Sequence, residues 1–145
     1  MTVEELYANL IDAWNRRDAA AFEALFILDG DLVGFDGSQA HGQGAIGEHL
    51  REIFGEHPTP KYVYSLTGVT QISTDVAIVR AIAGMVPPGK TDLDPQFNAV
   101  HRLTAVHRGG VYRVALFHNT PARLDRRPQD VAAMTATLRA AMAGA

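Results

Sequence analysis

The sequence predicts an α+β fold, with helices first and a run of antiparallel strands after them. Two observations carry that expectation. Up to Glu56 the apolar residues recur three and four apart, the period of a helix with one buried face, and from Lys61 to Thr120 they recur two apart, the period of a strand. The two periods do not alternate along the chain, which excludes the βαβ order of a parallel nucleotide-binding sheet. A length of 145 residues with no shift in composition predicts a single domain over 1–145.

Thr2 and Glu5 have the spacing of a capping box, and Val3, Leu6, Tyr7, Leu10, Ala13 and Trp14 follow as one apolar stripe. The first helix is therefore expected to run to about Arg17. Asp18 is placed to cap a shorter second helix through Phe22 and Leu25, which Leu28–Asp31 stops. Asp31–Phe35 and Ser38–His41 read as short extended pieces around the turn signal Asp36-Gly37. From Gly44 the residues Ile46, Leu50, Ile53 and Phe54 mark a third helix, which must end before Pro58 and Pro60. Four strands are expected at Lys61–Ser73, Asp75–Val86, Phe97–Arg108 and Val111–Thr120, all rich in Val, Ile, Thr and aromatics. After Pro128, an Ala-rich tail with Val131, Met134, Leu138 and Met142 favours a closing helix.

A net charge of -3 without a Lys/Arg cluster gives no footprint for nucleic acid. The absence of cysteine excludes disulfides, thiolate metal sites and thiol nucleophiles, so six histidines must carry any imidazole chemistry. The acidic, amphipathic start is not expected to act as a secretory leader, and no apolar run is long enough to span a membrane as a helix. A cytoplasmic location is expected, and the abundance of Ala and Arg over Lys points to a bacterial source.

Gly42, Gly44 and Gly47 match G-x-G-x-x-G, but a dinucleotide fingerprint also needs a buried strand before it and a carboxylate about 20 residues beyond. Neither is present, so these glycines are expected to shape the start of the third helix.

Gly109-Gly110 suits a two-residue hairpin turn in which both residues take positive φ. Facing Arg108 with Val111 then sets His101 opposite His118, Leu103 opposite Leu116, Ala105 opposite Val114 and His107 opposite Tyr112. Phe97, Ala99, His101, Leu103, Ala105, Val114, Leu116 and His118 would share the core face, with Arg102, Thr104, Arg113, Asn119 and Phe117 on the other. Two adjacent imidazoles at the end of an apolar surface are suited to acid-base chemistry near neutral pH. Their alternative role is to bond one another and close the core. A metal site is not expected, because no carboxylate completes a triad. Arg80 stands alone in an apolar strand, and Asp29, Asp31 and Asp36 have turn surroundings.

The chain resembles the NTF2-like superfamily, and within it the SnoaL-like proteins. The resemblance rests on "YANLIDAWNRRDAAAFEALF", "GDLVGFDGSQAHGQGAIGEHL" and "VYRVALFHNTPA", and it is nearest to the SgcJ/EcaC subgroup through "DLVGFDGS", "GMVPPG" and "ALFHNTP". It implies a cone-shaped fold, with N-terminal helices packed in a curved antiparallel sheet, a C-terminal helix and a homodimer formed through the sheet. It further implies binding of a hydrophobic polyketide-type intermediate, polyene or enediyne, whose cyclisation, isomerisation or dehydration is assisted without a cofactor. His101 and His118 would carry protons, and Tyr7, Trp14, Phe35, Met85 and Phe97 would line the pocket. The alternative is a carrier, or an accessory partner of a polyketide synthase. Gly34 falls where ketosteroid isomerases carry their catalytic aspartate, so their mechanism does not transfer. Residues 87–95 are long and proline-rich enough to rim or cover the pocket.

Overall fold

A computed structural model describes residues 1–144. The element order is α1 (Val3–Asn15), α2 (Ala19–Ala24), β1 (Phe26–Val33), β2 (Gln39–His41), α3 (Gln43–Glu56), β3 (Lys61–Gln71), β4 (Val76–Val86), a 3-10 turn at Pro95–Phe97, β5 (Ala99–Arg108), β6 (Val111–Pro121) and α4 (Pro128–Ala143). The caps read from sequence are formed: Thr2 accepts from Glu5 N at 3.1 Å and Asp18 accepts from Ala21 N at 2.9 Å. No helix among the described residues is long and apolar enough to cross a membrane.

The six strands form one sheet in the order β2-β1-β6-β5-β4-β3. The expectation of a wholly antiparallel sheet is corrected at one place, because β1 runs parallel to β6. From β1 the chain turns back as β2, and α3 then carries it to the far edge, where β3 begins. β1 is also longer than expected. It absorbs Leu28–Asp31 by slipping register between Phe26 and Asp31, where Gly30 avoids a Cβ that would lie 3.1 Å from the Phe26 ring.

The β5–β6 turn forms as expected, with Gly109 at φ 59° and Gly110 at φ 82°. Pairing follows the expected ladder from Arg108 opposite Val111 to Ala105 opposite Val114. Ala115 is then an extra residue, a bulge, and beyond it the register is displaced by one. Thr104 faces Leu116, Arg102 faces His118, and His101 faces Asn119. The expected pairing of His101 with His118 is therefore corrected. One inserted residue sends His118 and Leu116 outward and brings Phe117 and Asn119 inward.

α1 and α3 cover the inner face of the sheet. Leu6, Tyr7 and Leu10 of α1 are fully buried, and the inward positions of β4, Ala77, Val79, Ala81, Ala83 and Met85, include three alanines that let the helix lie close. Burying each of those large side chains contributes on the order of 1.5–3 kcal/mol. α4 packs on the outer face, where Leu138 covers Gly84 and Thr135 accepts a 2.9 Å hydrogen bond from buried Asn98. Residues 87–95 belong to this outer layer. Asp92 takes bonds of 3.0 and 3.2 Å from Arg139 of α4, Leu93 is buried, and no residue of the loop lines the cavity on the inner face.

Candidate functional site

The inner face of the sheet and the two helices above it form a chamber of about 340 Å³ that opens to solvent on one side. Its walls are mostly apolar: Ile11 and Trp14 from α1, Leu50 and Ile53 from α3, Met85 from β4 and Phe117 from β6. Buried Tyr62 and Asn119 form its polar floor, while Asp36, Ser38, His49 and His57 stand at a more exposed rim. An apolar cavity with a few convergent polar groups is the usual form of a small-molecule site.

Three residues expected to line the pocket do so: Trp14, Phe35 and Met85. Two do not. Tyr7 is buried behind the wall, and Phe97 lies outside the chamber with its ring centroid 6.4 Å from that of Phe35. His101 is also behind the wall, wholly inaccessible, with its ring edge-on to Tyr62 at 5.2 Å and to Phe117 at 4.9 Å. His118 is exposed on the opposite face of the sheet. The two histidines therefore do not form a pair.

His101 has a different part in the site. Tyr7 Oη lies 2.7 Å from its Nδ1, and Asn119 Nδ2 donates to Tyr62 Oη at 2.7 Å. His101 Nε2 and Asn119 Oδ1 are left over on directly opposed residues. Neither has a partner, and Asn119 only partly offsets the effect of burial on the ring. With the Tyr7 hydroxyl donating to Nδ1, the ring proton sits on Nε2. Burial pushes the His101 pKa down to about 3, so the ring is neutral at physiological pH.

Tyr62 is the residue this network presents to the cavity. Burial raises its pKa, so the phenol stays protonated, and because its oxygen already accepts from Asn119 its own proton is unclaimed among the described residues. Its backbone is fixed by Asn15 of α1, whose side chain accepts from Tyr62 N at 2.8 Å and donates to Tyr62 O at 3.1 Å. The amide thus imitates a neighbouring strand along the free edge of β3.

At the rim, Asp36 Oδ1 accepts from Ser38 N at 2.9 Å. Hydrogen bonds from the Ser38 side chain and backbone hold the Asp36 carboxyl below its usual range, and the charge of nearby His49 adds to this. The turn residue is therefore also an anion beside an imidazole at the cavity entrance. Tyr62, Asn119, Asp36 and His49 have no local signature in sequence. They meet only because α3 spans the sheet and β6 carries its bulge.

No protein-family model matches the chain, and no curated protein matches it. Solved structures do. A domain of unknown function with a cystatin-like fold from Nostoc punctiforme superposes with a TM-score of 0.76 at 17% identity, over 90% of this chain and 92% of that one. A ketosteroid isomerase-like protein from Erwinia carotovora atroseptica gives 0.65 at 21% identity, over 82% and 92%. An NTF2-like protein of unknown function from Shewanella oneidensis gives 0.63 at 16% identity, over 81% and 95%. The likeness shows the fold, which is NTF2-like, also described as cystatin-like.

Proposed function

We propose that the chamber binds a hydrophobic small molecule with an accepting oxygen, a ketone or similar carbonyl, and that the protein assists a proton transfer on it without a cofactor. The observation that carries this reading is the free proton of Tyr62 on the polar floor of an otherwise apolar cavity. A phenol held neutral donates to a carbonyl and stabilises the negative charge that develops when a neighbouring C–H is deprotonated. His49, beside the Asp36 carboxylate, is the base. Walls of Trp14, Phe117 and Met85 exclude water and strengthen both interactions. Isomerisation of an enone, elimination of a β-hydroxyl and aldol cyclisation each begin with such a step. Polyene and aromatic ketones of polyketide type have the required character, and the SgcJ/EcaC-like motifs support that class.

The test is binding of naphthyl methyl ketone, followed by the fluorescence of Trp14, the one tryptophan of the chain, together with exchange of its methyl protons in heavy water. Tyr62→Phe is expected to weaken ketone binding about tenfold, the loss of one hydrogen bond of roughly 1.4 kcal/mol, and to leave binding of naphthalene unchanged. His49→Ala is expected to bind normally and lose exchange by roughly a hundredfold. Equal affinity of wild type and Tyr62→Phe for the ketone would remove the proposal.

A carrier role is favoured by one observation: Asp36 and His57 are exposed and His49 is only half-buried, so the proton acceptors stand at the rim while the floor is neutral. Tight ketone binding with no catalysed exchange would select it.

A second copy of the chain is the partner we propose for the outer face. Arg80 faces Arg102 and Arg102 faces His118 across β4, β5 and β6, a basic row in which repulsion between the two guanidiniums alone would disfavour their pairing. Asp31 lies on the same face of β1. A two-fold contact would set each basic row against the other copy's acidic strand.

A further inference from the structure

We infer that Phe35 limits how much of a ligand the chamber holds, so that affinity for ketones of the same chemistry stops rising once they outgrow it. The inference rests on the chamber's being a binding site, as proposed above.

Phe35 lines two spaces at once: the chamber, and a shallow outer groove of 500 Å³ between the Pro95–Phe97 turn, the end of β6 and α4. No other residue among those described is shared between them. The chamber is at the small end of ligand sites, which range over about 300–1,000 Å³. The groove has an apolar lining of Pro95, Pro121, Ala122 and Val131, with Gln96 and the ion pair Arg123–Asp125 as polar groups. A ligand too long for the chamber would find further apolar surface on the far side of Phe35, the one lining residue the two spaces share.

That ring is held by its turn. Gly34 N donates to Ser38 O at 2.8 Å and Gly37 N to Gly34 O at 2.9 Å, closing the β1–β2 turn around Phe35, and Gly37 takes φ +88°, which other residues rarely adopt. Phe35 is half-buried, and its aromatic neighbour Phe97 stands 6.4 Å away and lines neither space. Shortening the side chain therefore opens the partition and leaves the core packing of Leu6, Leu10 and Leu50 in place.

The experiment titrates a graded series of methyl n-alkyl ketones, each one carbon longer than the last, against wild type, Phe35→Ala, Phe35→Leu and Phe97→Leu, reading Trp14 fluorescence. In wild type the affinity is expected to rise roughly fourfold per methylene until the chamber is full, and then to level. In Phe35→Ala and Phe35→Leu the rise continues for several further carbons, so that the longest ketones bind at least tenfold tighter than to wild type, while the shortest change less than threefold. Phe97→Leu levels where wild type does. Phe35→Leu keeps most of the apolar volume, so it decides the matter if Phe35→Ala does not fold. Levelling at the same length in wild type and Phe35→Leu, with short ketones still bound, overturns the inference alone. Absence of binding at every length overturns the chamber as a ketone site, and the inference with it.

Discussion

Tyr7 on α1 and His101 on β5 meet across the core at 2.7 Å, phenol to imidazole, and neither touches the chamber whose floor they support. A second pair, Asn119 and Tyr62, lies beside it, and between the two pairs His101 Nε2 and Asn119 Oδ1 are buried without a partner. Tyr7 holds His101, and Asn119 holds Tyr62, which lines the cavity. Such a cluster is costly to charge, because burial penalises the charged form.

Acid should therefore destabilise the protein through His101. Its pKa in the folded chain is about 3 against an ordinary value of 6.5, so below 6.5 the unfolded chain takes up a proton that the folded chain refuses. Stability is full above 6.5 and falls as pH drops, by about 1.4 kcal/mol per pH unit while the folded ring stays neutral. His41 has its pKa raised by Asp31, so its contribution is constant below 6.5 and is lost only as pH rises. Asp36, with its pKa lowered from 3.8, acts only at lower pH. Urea unfolding between about pH 4.5 and 6.5 should thus show a slope that His101→Leu largely removes.

Tyr7→Phe should cost about 1–3 kcal/mol, because it leaves the Nδ1 atom of His101 buried without a donor. In a His101→Leu background the same substitution should cost far less. A double-mutant cycle by urea unfolding measures the difference, and additive costs would mean the two groups do not support one another.

Gly47 on α3 faces the Glu23 carboxylate, which also pairs with Arg51 at 3.1 Å. A methyl group at position 47 would overlap that carboxylate. Gly47→Ala should therefore show none of the roughly 1 kcal/mol gain that alanine brings to a helix interior. In a Glu23→Ala background the gain should reappear, and thermal unfolding of the four proteins checks it.

Arg102→Glu tests the homodimer. If the basic row meets Asp31 of a second copy, reversing one charge in its centre should shift the sedimentation profile toward monomer, and Arg102→Glu with Asp31→Arg should restore the dimer in part. His118→Ala, at the end of the row and away from the chamber, should leave ketone binding unchanged and change stability by no more than about 0.5 kcal/mol.

The fold was legible where the chain states its geometry locally. Thr2 and Asp18 are oxygen-bearing caps, Pro58 and Pro60 stop a helix, and Gly109-Gly110 specifies both a turn and the first four pairs beyond it. Legibility fails at Ala115. Ala115, Leu116 and Phe117 are all apolar, so the alternation that would reveal an extra residue is missing where it is needed, and every inward or outward assignment after it is reversed. The site was legible in part: Trp14, Phe35 and Met85 are apolar residues with one buried face, whereas Tyr62 and Asp36 gain their roles from partners far away in sequence. The parallel pairing of β1 with β6 is likewise a property of the route taken by α3.

The bulge has an evolutionary consequence. Along β6, everything between Ala115 and Pro121 is held in one of two phases, and the choice between them is a matter of counting residues. Deleting Ala115 would leave Leu116 opposite Thr104 and Asn119 opposite His101, whereas pairing Ala115 with Thr104 in a regular ladder would turn Phe117 and Asn119 out of the cavity and set His118 beside His101. The bulge alone, with no side chain changed, thus decides between an amide and a second imidazole beside His101. Lineages built on this sheet can therefore move between binding and acid-base chemistry by gaining or losing the bulge, a path that comparison of side chains one by one would not register.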